Sequence, residues 1–221
     1  MITLNSKTNV GALIDAFEQG SGTLARLAEH ERARIVRDLR ALQDLADAPR
    51  QTASAAVASK EHTRKGLAKI TADALRTAKA AREPHAAAIA KLEADRLALR
   101  AREMATPKGD GSLAELLAER EIRDELRRVA PDPIQVFPIY LAALSRNDHA
   151  TARAMENSPP SFPLLTEDQR AQGDFIKLQK SPRLDEVLTA DAIAYVYRST
   201  LAAVDEELAA VASDYGVKDE D

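Results

Sequence analysis

Apolar residues recur along most of this chain at intervals of three and four, the spacing that lines one face of an α-helix. The clearest stripe comes last: Ile193, Tyr197, Leu201, Val204, Leu208, Val211 and Tyr215. It predicts a helix over about residues 190–215, closed by Gly216. Near the other end, Leu24, Leu27, Ala28, Ile35, Leu39, Leu42 and Ala46 predict a helix from Ser21 to Ala48, stopped by Pro49. Residues 9–19 predict a short helix before it, stopped by Gly20. No run alternates with the period of a strand, and nothing repeats at a solenoid period.

Residues 51–105 carry the dominant element. Leu67, Ile70, Ala74, Ala78 and Ala81 make a narrow seam, continued by Ile89, Leu92 and Leu99. A continuous helix there would be about 80 Å long at the usual rise per residue, and Pro84 is expected to kink or divide it. A seam of small residues admits a partner helix closely but buries little area of its own, so this element needs a partner.

The stretch TPKGDG (106–111) reads as a linker. Ser112 and Glu115 then stand at capping-box spacing and open a helix to about Val129, broken by Pro131 and Pro133. Val136, Phe137, Ile139, Tyr140, Leu141 and Leu144 are the best packing material in the chain. A short helix from Asp148 to Glu156 leads into the loop NSPPSFPLL (157–165), with Phe162, Leu164 and Leu165 expected against the bundle. Thr166 and Gln169 form a second capping box, and Ser181-Pro182 is a further helix start. The pattern predicts an all-α protein. A long Ala-rich helical hairpin or coiled coil occupies 1–105, and 106–111 link it to a small bundle of shorter helices, 112–221, with an acidic tail.

Composition sharpens this picture. Alanine supplies 43 of 221 residues and aromatics only 4%, which favours helix while building a thin core. Cysteine is absent, which removes disulfides, thiolate nucleophiles and Cys-ligated metals. The net charge of −4 is unevenly spread: residues 50–105 hold 12 Lys/Arg against 6 Asp/Glu, and residues 106–221 hold 13 against 22. A basic arm and an acidic end could attract each other, within one chain or between neighbours. The most apolar stretch, Ile134 to Leu144, is too short to span a bilayer. The first residues lack the layout of a signal peptide. These features predict a cytoplasmic protein, neither secreted nor membrane-spanning.

No chemistry-bearing motif emerges. His30, His62, His85 and His149 stand in no metal-binding pair, and Asp205-Glu206-Glu207 reads as a solvated helix face. There is no phosphate-cradling glycine loop and no nucleophile elbow. No catalytic residue, metal ligand or cofactor is expected. Lys60, Arg64, Lys65, Lys69, Arg76 and Lys79, with Arg82, could track a phosphate backbone. Glu61, Asp73 and Glu83 interrupt them, and no aromatic is present for stacking.

The segment IYLAALSRNDHATARAMENSPPSFPLL (139–165) resembles a helix–loop pattern of small virion-associated proteins of tailed bacteriophages. The resemblance implies a virion or assembly protein and assigns no functional residue. The function expected is therefore a non-enzymatic head, neck or scaffold-like component, binding itself and other virion proteins. Leu67, Ile70, Ala74, Ala78, Ile89 and Leu92 would form one interface. Leu201, Val204, Leu208 and Val211 would form the bundle core or a second interface. The alternatives are a nucleic-acid-binding packaging protein using residues 60–102, or a bacterial helical adaptor.

Overall fold

The computed structural model describes residues 14–15 and 27–217, and every regular element among them is an α-helix. These are α1 (Glu29–Ser59), α2 (Arg64–Met104), α3 (Leu113–Val129), α4 (Pro133–Arg146), α5 (His149–Glu156), α6 (Glu167–Lys180) and α7 (Leu184–Asp214). The expected helix at 9–19 and the start of its successor at Ser21 lie outside the described residues, except that Ile14 and Asp15 are helical.

The expected stop at Pro49 does not occur, since α1 runs through it, and at Pro84, where a kink or a division was expected, α2 is not divided. Each proline removes one backbone donor, but buried anchors on both sides hold the helix in register. Ala46 and Ala53 flank Pro49, and Ala78 and Ile89 flank Pro84. The actual break falls at 60–63. Lys60 adopts left-handed backbone with φ 56° and its N–H donates to the Val57 carbonyl. Thr63 Oγ1 then accepts from Gly66 N at 3.2 Å and caps α2.

The chain forms two compact units, which divide it differently from the expected 1–105 and 112–221. The first comprises residues 1–96 and 186–221. Here α1, α2 and α7 share one core of Leu42, Ala46, Leu75, Ala78, Ile89, Val204, Leu208 and Val211. A neighbouring cluster joins Ile14, Ile35, Val36, Leu39 and Val196. Hydrogen bonds and ion pairs between side chains give the directions. Tyr197 meets Asp38 and Glu207 meets Arg50, so α7 runs parallel to α1. Asp191 meets Arg96 and Asp205 meets Arg82, so α7 runs antiparallel to α2. The last helix therefore completes the N-terminal hairpin. It ends on Gly216 at φ +63°, with Val217 N donating to the Ala212 carbonyl, as its sequence predicted.

The second unit is residues 97–185. Its core is Leu126, Ala130, Val136, Tyr140, Leu144, Ala152, Met155, Leu164 and Leu165. Helix α5 packs on α3 and α4, and α6 packs on α4. The predicted capping box is present, Thr166 with Gln169 making both of its bonds, and Asp148, expected as the first residue of its helix, stands just before it as the cap, its Oδ1 accepting from Thr151 N. Gly173 sits where α6 crosses Tyr140. A Cβ there would lie 2.5 Å from the tyrosine hydroxyl and 2.7 Å from its Cζ, so only glycine leaves room for the ring.

Candidate interaction site

Helix α3 is turned against its own hydrophobic pattern. Leu113, Leu116 and Leu117 recur at the spacing of a buried stripe, yet they are 73%, 55% and 49% exposed. The inward side of the same two turns carries Glu115 and Glu119, and Glu119 is buried. Their partner is Arg153 of α5. Its Nε donates to Glu119 Oε1 at 3.0 Å, one terminal nitrogen to Glu115 Oε1, and the other to the Pro107 carbonyl at 3.0 Å. Arg123 approaches Glu119 from one turn further along, at 3.6 Å. A guanidinium fork satisfies two carboxylates and a carbonyl at once. Turning the helix over would carry both glutamates to solvent and leave the Arg153 guanidinium facing leucines without its carboxylate partners, so the leucines face out.

The expected linker 106–111 is part of the same construction. Gly111 N donates to Glu115 Oε2 at 2.8 Å, and Gly111 adopts φ +68°. A side chain at Gly109 would collide with the Glu115 carboxylate. The Ser112 N–H holds the Asp110 carboxyl below its ordinary range. Half of the predicted capping box survives: Ser112 Oγ accepts from Glu115 N, while the Glu115 carboxylate serves Gly111 and Arg153 instead. The loop is therefore stitched to α3 and α5.

A second polar cluster centres on Glu156. Its Oε1 accepts from Tyr140 Oη at 2.6 Å, from Lys177 Nζ at 2.9 Å and from Thr106 Oγ1 at 2.9 Å. Lys177 also pairs with Asp174 at 2.8 Å. Burial, reinforced by the Glu156 hydrogen bond and charge, pushes the Tyr140 phenol above its ordinary value. Every polar atom named here points at another side chain of the unit, which makes the cluster a clamp between α4, α5 and α6. Among the described residues, no group of three or more His, Asp or Glu side chains could hold a metal ion.

The residues singled out in sequence fall in the first unit, and several meet one another there. Ala78 and Ile89 of α2 are buried against Val204, Leu208 and Val211 of α7. Leu67, Ile70, Ala74, Leu92 and Leu201 are half-buried. These positions build an intramolecular core, so the buried ones are not presented to a second molecule. Ala78 and Ile89 of the expected seam are buried, but nearer the start of α2 the buried positions are Thr71 and Leu75, each one residue on from the expected Ile70 and Ala74. Thr71 is accommodated because its hydroxyl donates to the Leu67 carbonyl at 2.9 Å. Sequence periodicity alone missed Leu75.

The basic positions Lys60, Arg64, Lys65, Lys69, Arg76 and Lys79 are exposed. Arg76 pairs with Asp73 on its own helix. Arg82 is committed to the fold by two bonds to Asp205, at 2.5 and 2.6 Å.

Two clefts remain. One of about 360 Å³ lies within the first unit, lined by Ile35, Leu42, Ile89 and Leu92 with Arg34, Asp38, His85 and Tyr197. Tyr197 Oη donates to Asp38 at 3.1 Å, and burial followed by the Asp38 charge raises its phenol. The other, of about 330 Å³, lies beside the Pro-rich loop. Leu164 and Leu165 are buried there as expected, but Phe162 is exposed, with the Arg127 guanidinium 6.0 Å over its ring. Among the described residues no helix is long and apolar enough to cross a membrane. The chain matches no protein-family model, no curated protein and no solved structure.

Proposed function

We propose that this chain is a non-enzymatic structural or assembly protein of a bacteriophage particle, a head, neck or scaffold-like component. It acts through helix-mediated contacts with copies of itself and with other virion proteins. The observation that carries the contact part of this reading is the reversed face of α3. Three leucines in one stripe are held outward by an internal charge clamp, an arrangement that fits a surface to be covered by protein. The phage part rests on the resemblance of residues 139–165, which span most of α4, all of α5 and the Pro-rich loop of the same unit. Quantitative mass spectrometry of immature and mature particles from the host that encodes this chain tests the reading. The expected result is a fixed copy number relative to the other particle proteins. Absence from both kinds of particle overturns it.

One observation favours a second reading, a packaging accessory that touches nucleic acid: the six cations from Lys60 to Lys79 are all solvent-facing. That reading requires DNA or RNA binding that weakens steeply with salt, by a slope near one per phosphate contacted. No binding at low salt ends it.

A further inference from the structure

We infer that the cleft within the first unit binds a free apolar α-amino acid, its ammonium on Asp38, its carboxylate on Arg34 and its side chain among the aliphatic residues of the three helices. This binding is independent of the assembly reading above.

The polar end of the cleft is an ion pair left open. Arg34 and Asp38 stand one turn apart on α1, and both line the cleft. Opposite charges at that spacing attract, although a cation placed before its acid is the weaker order. Here the two do not meet. Asp38 Oδ2 instead accepts from Tyr197 Oη at 3.1 Å, while Arg34 is exposed and pairs with no carboxylate among the described residues. Burial and the Asp38 charge raise the Tyr197 phenol and Arg34 opposes them, so the three groups share one field. A carboxylate and a guanidinium are therefore offered together, about 6 Å apart along the helix. A simple amine would meet Asp38 but face the Arg34 charge, and a simple carboxylate would meet Arg34 but face Asp38. Only a head that carries both charges is attracted at each end.

The rest of the ligand follows from the walls. Ile35, Leu42 and Ile89 are buried, Leu92 and Ile193 half-buried, and all five line the cleft. Its volume of about 360 Å³ stands at the small end of ligand pockets, which run to ~1,000 Å³, so it suits one small molecule with an aliphatic or aromatic body. The cleft beside the Pro-rich loop has no such head-group site. Its Arg127 is already engaged by Asp124, the Phe162 carbonyl and the Phe162 ring.

Isothermal titration calorimetry of the full chain with L-leucine tests the assignment. Saturable binding is expected, weakened at least tenfold when the ligand loses either charge, as in 4-methylpentanoate or 3-methylbutylamine. Asp38→Asn, whose amide keeps an acceptor for Tyr197, should weaken leucine at least tenfold and leave 4-methylpentanoate no weaker. Arg34→Gln should weaken leucine and leave 3-methylbutylamine no weaker. Ala88→Phe fills the cleft from an exposed lining position and should abolish binding with helical circular dichroism unchanged. No binding of L-leucine or L-phenylalanine at millimolar concentration overturns the proposal. Equal binding of 4-methylpentanoate and leucine also overturns it, making the cleft a site for simple carboxylates, and binding that survives Ale88→Phe places the ligand elsewhere and overturns it too.

Discussion

Gly173 and Gly66 are both helical glycines, and alanine should act on them with opposite sign. Replacing a helical glycine by alanine ordinarily stabilises by about 0.5–1 kcal/mol, because the unfolded chain loses freedom. At Gly66, the third residue of α2, the added methyl meets nothing closer than the Thr63 hydroxyl at 3.6 Å. The ordinary gain should appear there in full. At Gly173 the methyl enters the space of the Tyr140 ring, which is fully buried and tied to Glu156 at 2.6 Å. Overpacking a core costs about 1–3 kcal/mol. If the ring turns away instead, a hydrogen bond to a carboxylate worth about 1.5–3 kcal/mol is lost. Either route exceeds the helix gain, so Gly173→Ala should destabilise the second unit by roughly 1–2 kcal/mol. Urea unfolding followed by circular dichroism at 222 nm measures both variants, with backbone hydrogen exchange reporting each unit separately. Adding Tyr140→Leu to Gly173→Ala should recover part of the loss. Equal stabilisation by the two alanines would refute the packing argument.

Three further outcomes follow from the geometry. Arg153→Met leaves Glu119 buried with only Arg123 nearby, and should cost roughly 3 kcal/mol in urea unfolding. Thr200 is buried on α7 with no hydrogen-bond partner for its hydroxyl among the described residues, so Thr200→Val should stabilise thermal unfolding by about 1 kcal/mol. Tyr140 and Tyr197 both have phenols raised above the ordinary 10.0 by burial. A raised folded value means that the unfolded chain releases its proton first. The stability from these two groups is therefore complete below about pH 10 and declines as pH climbs further. Ultraviolet titration at 295 nm should show both ionising only as helicity is lost; ionisation of all four tyrosines in the folded chain would contradict this.

The helical character of the chain was open to reading because its signals are local. Thr166 with Gln169, Asp148 before α5, and Gly216 after α7 each act within one turn, and each does what its residue type dictates. Tertiary packing decided the rest. Pro49 and Pro84 should break helices by local rules, but the anchors beside them are buried against the other helices of the first unit. The turn at Lys60 carries neither glycine nor proline, so nothing in its sequence marked it. On α2 the expected Ala78 and Ile89 are buried, but Ile70 and Ala74 give way to Thr71 and Leu75, because alanines surround the helix almost evenly and periodicity alone does not fix which side meets the other two helices. The outward leucines of α3 are the extreme case. Periodicity alone would bury them, and what turns them out is Arg153, more than thirty residues later in sequence.

The discontinuous first unit has a consequence for the order in which this protein can be made. Translation finishes α1 and α2 while α7 is still separated from them by residues 105–183. Until that helix leaves the ribosome, Leu42, Leu75, Ala78 and Ile89 lack the residues that cover them, Val204, Leu208 and Val211. The inner unit is contiguous and can fold first, holding its two ends as it does so. A message cut short before residue 204 would thus release a folded inner unit attached to an incomplete hairpin with its apolar seam uncovered. Helix α7 is thus the closing piece of the first unit, the last of its three helices to be made and the one whose arrival covers the seam of the other two.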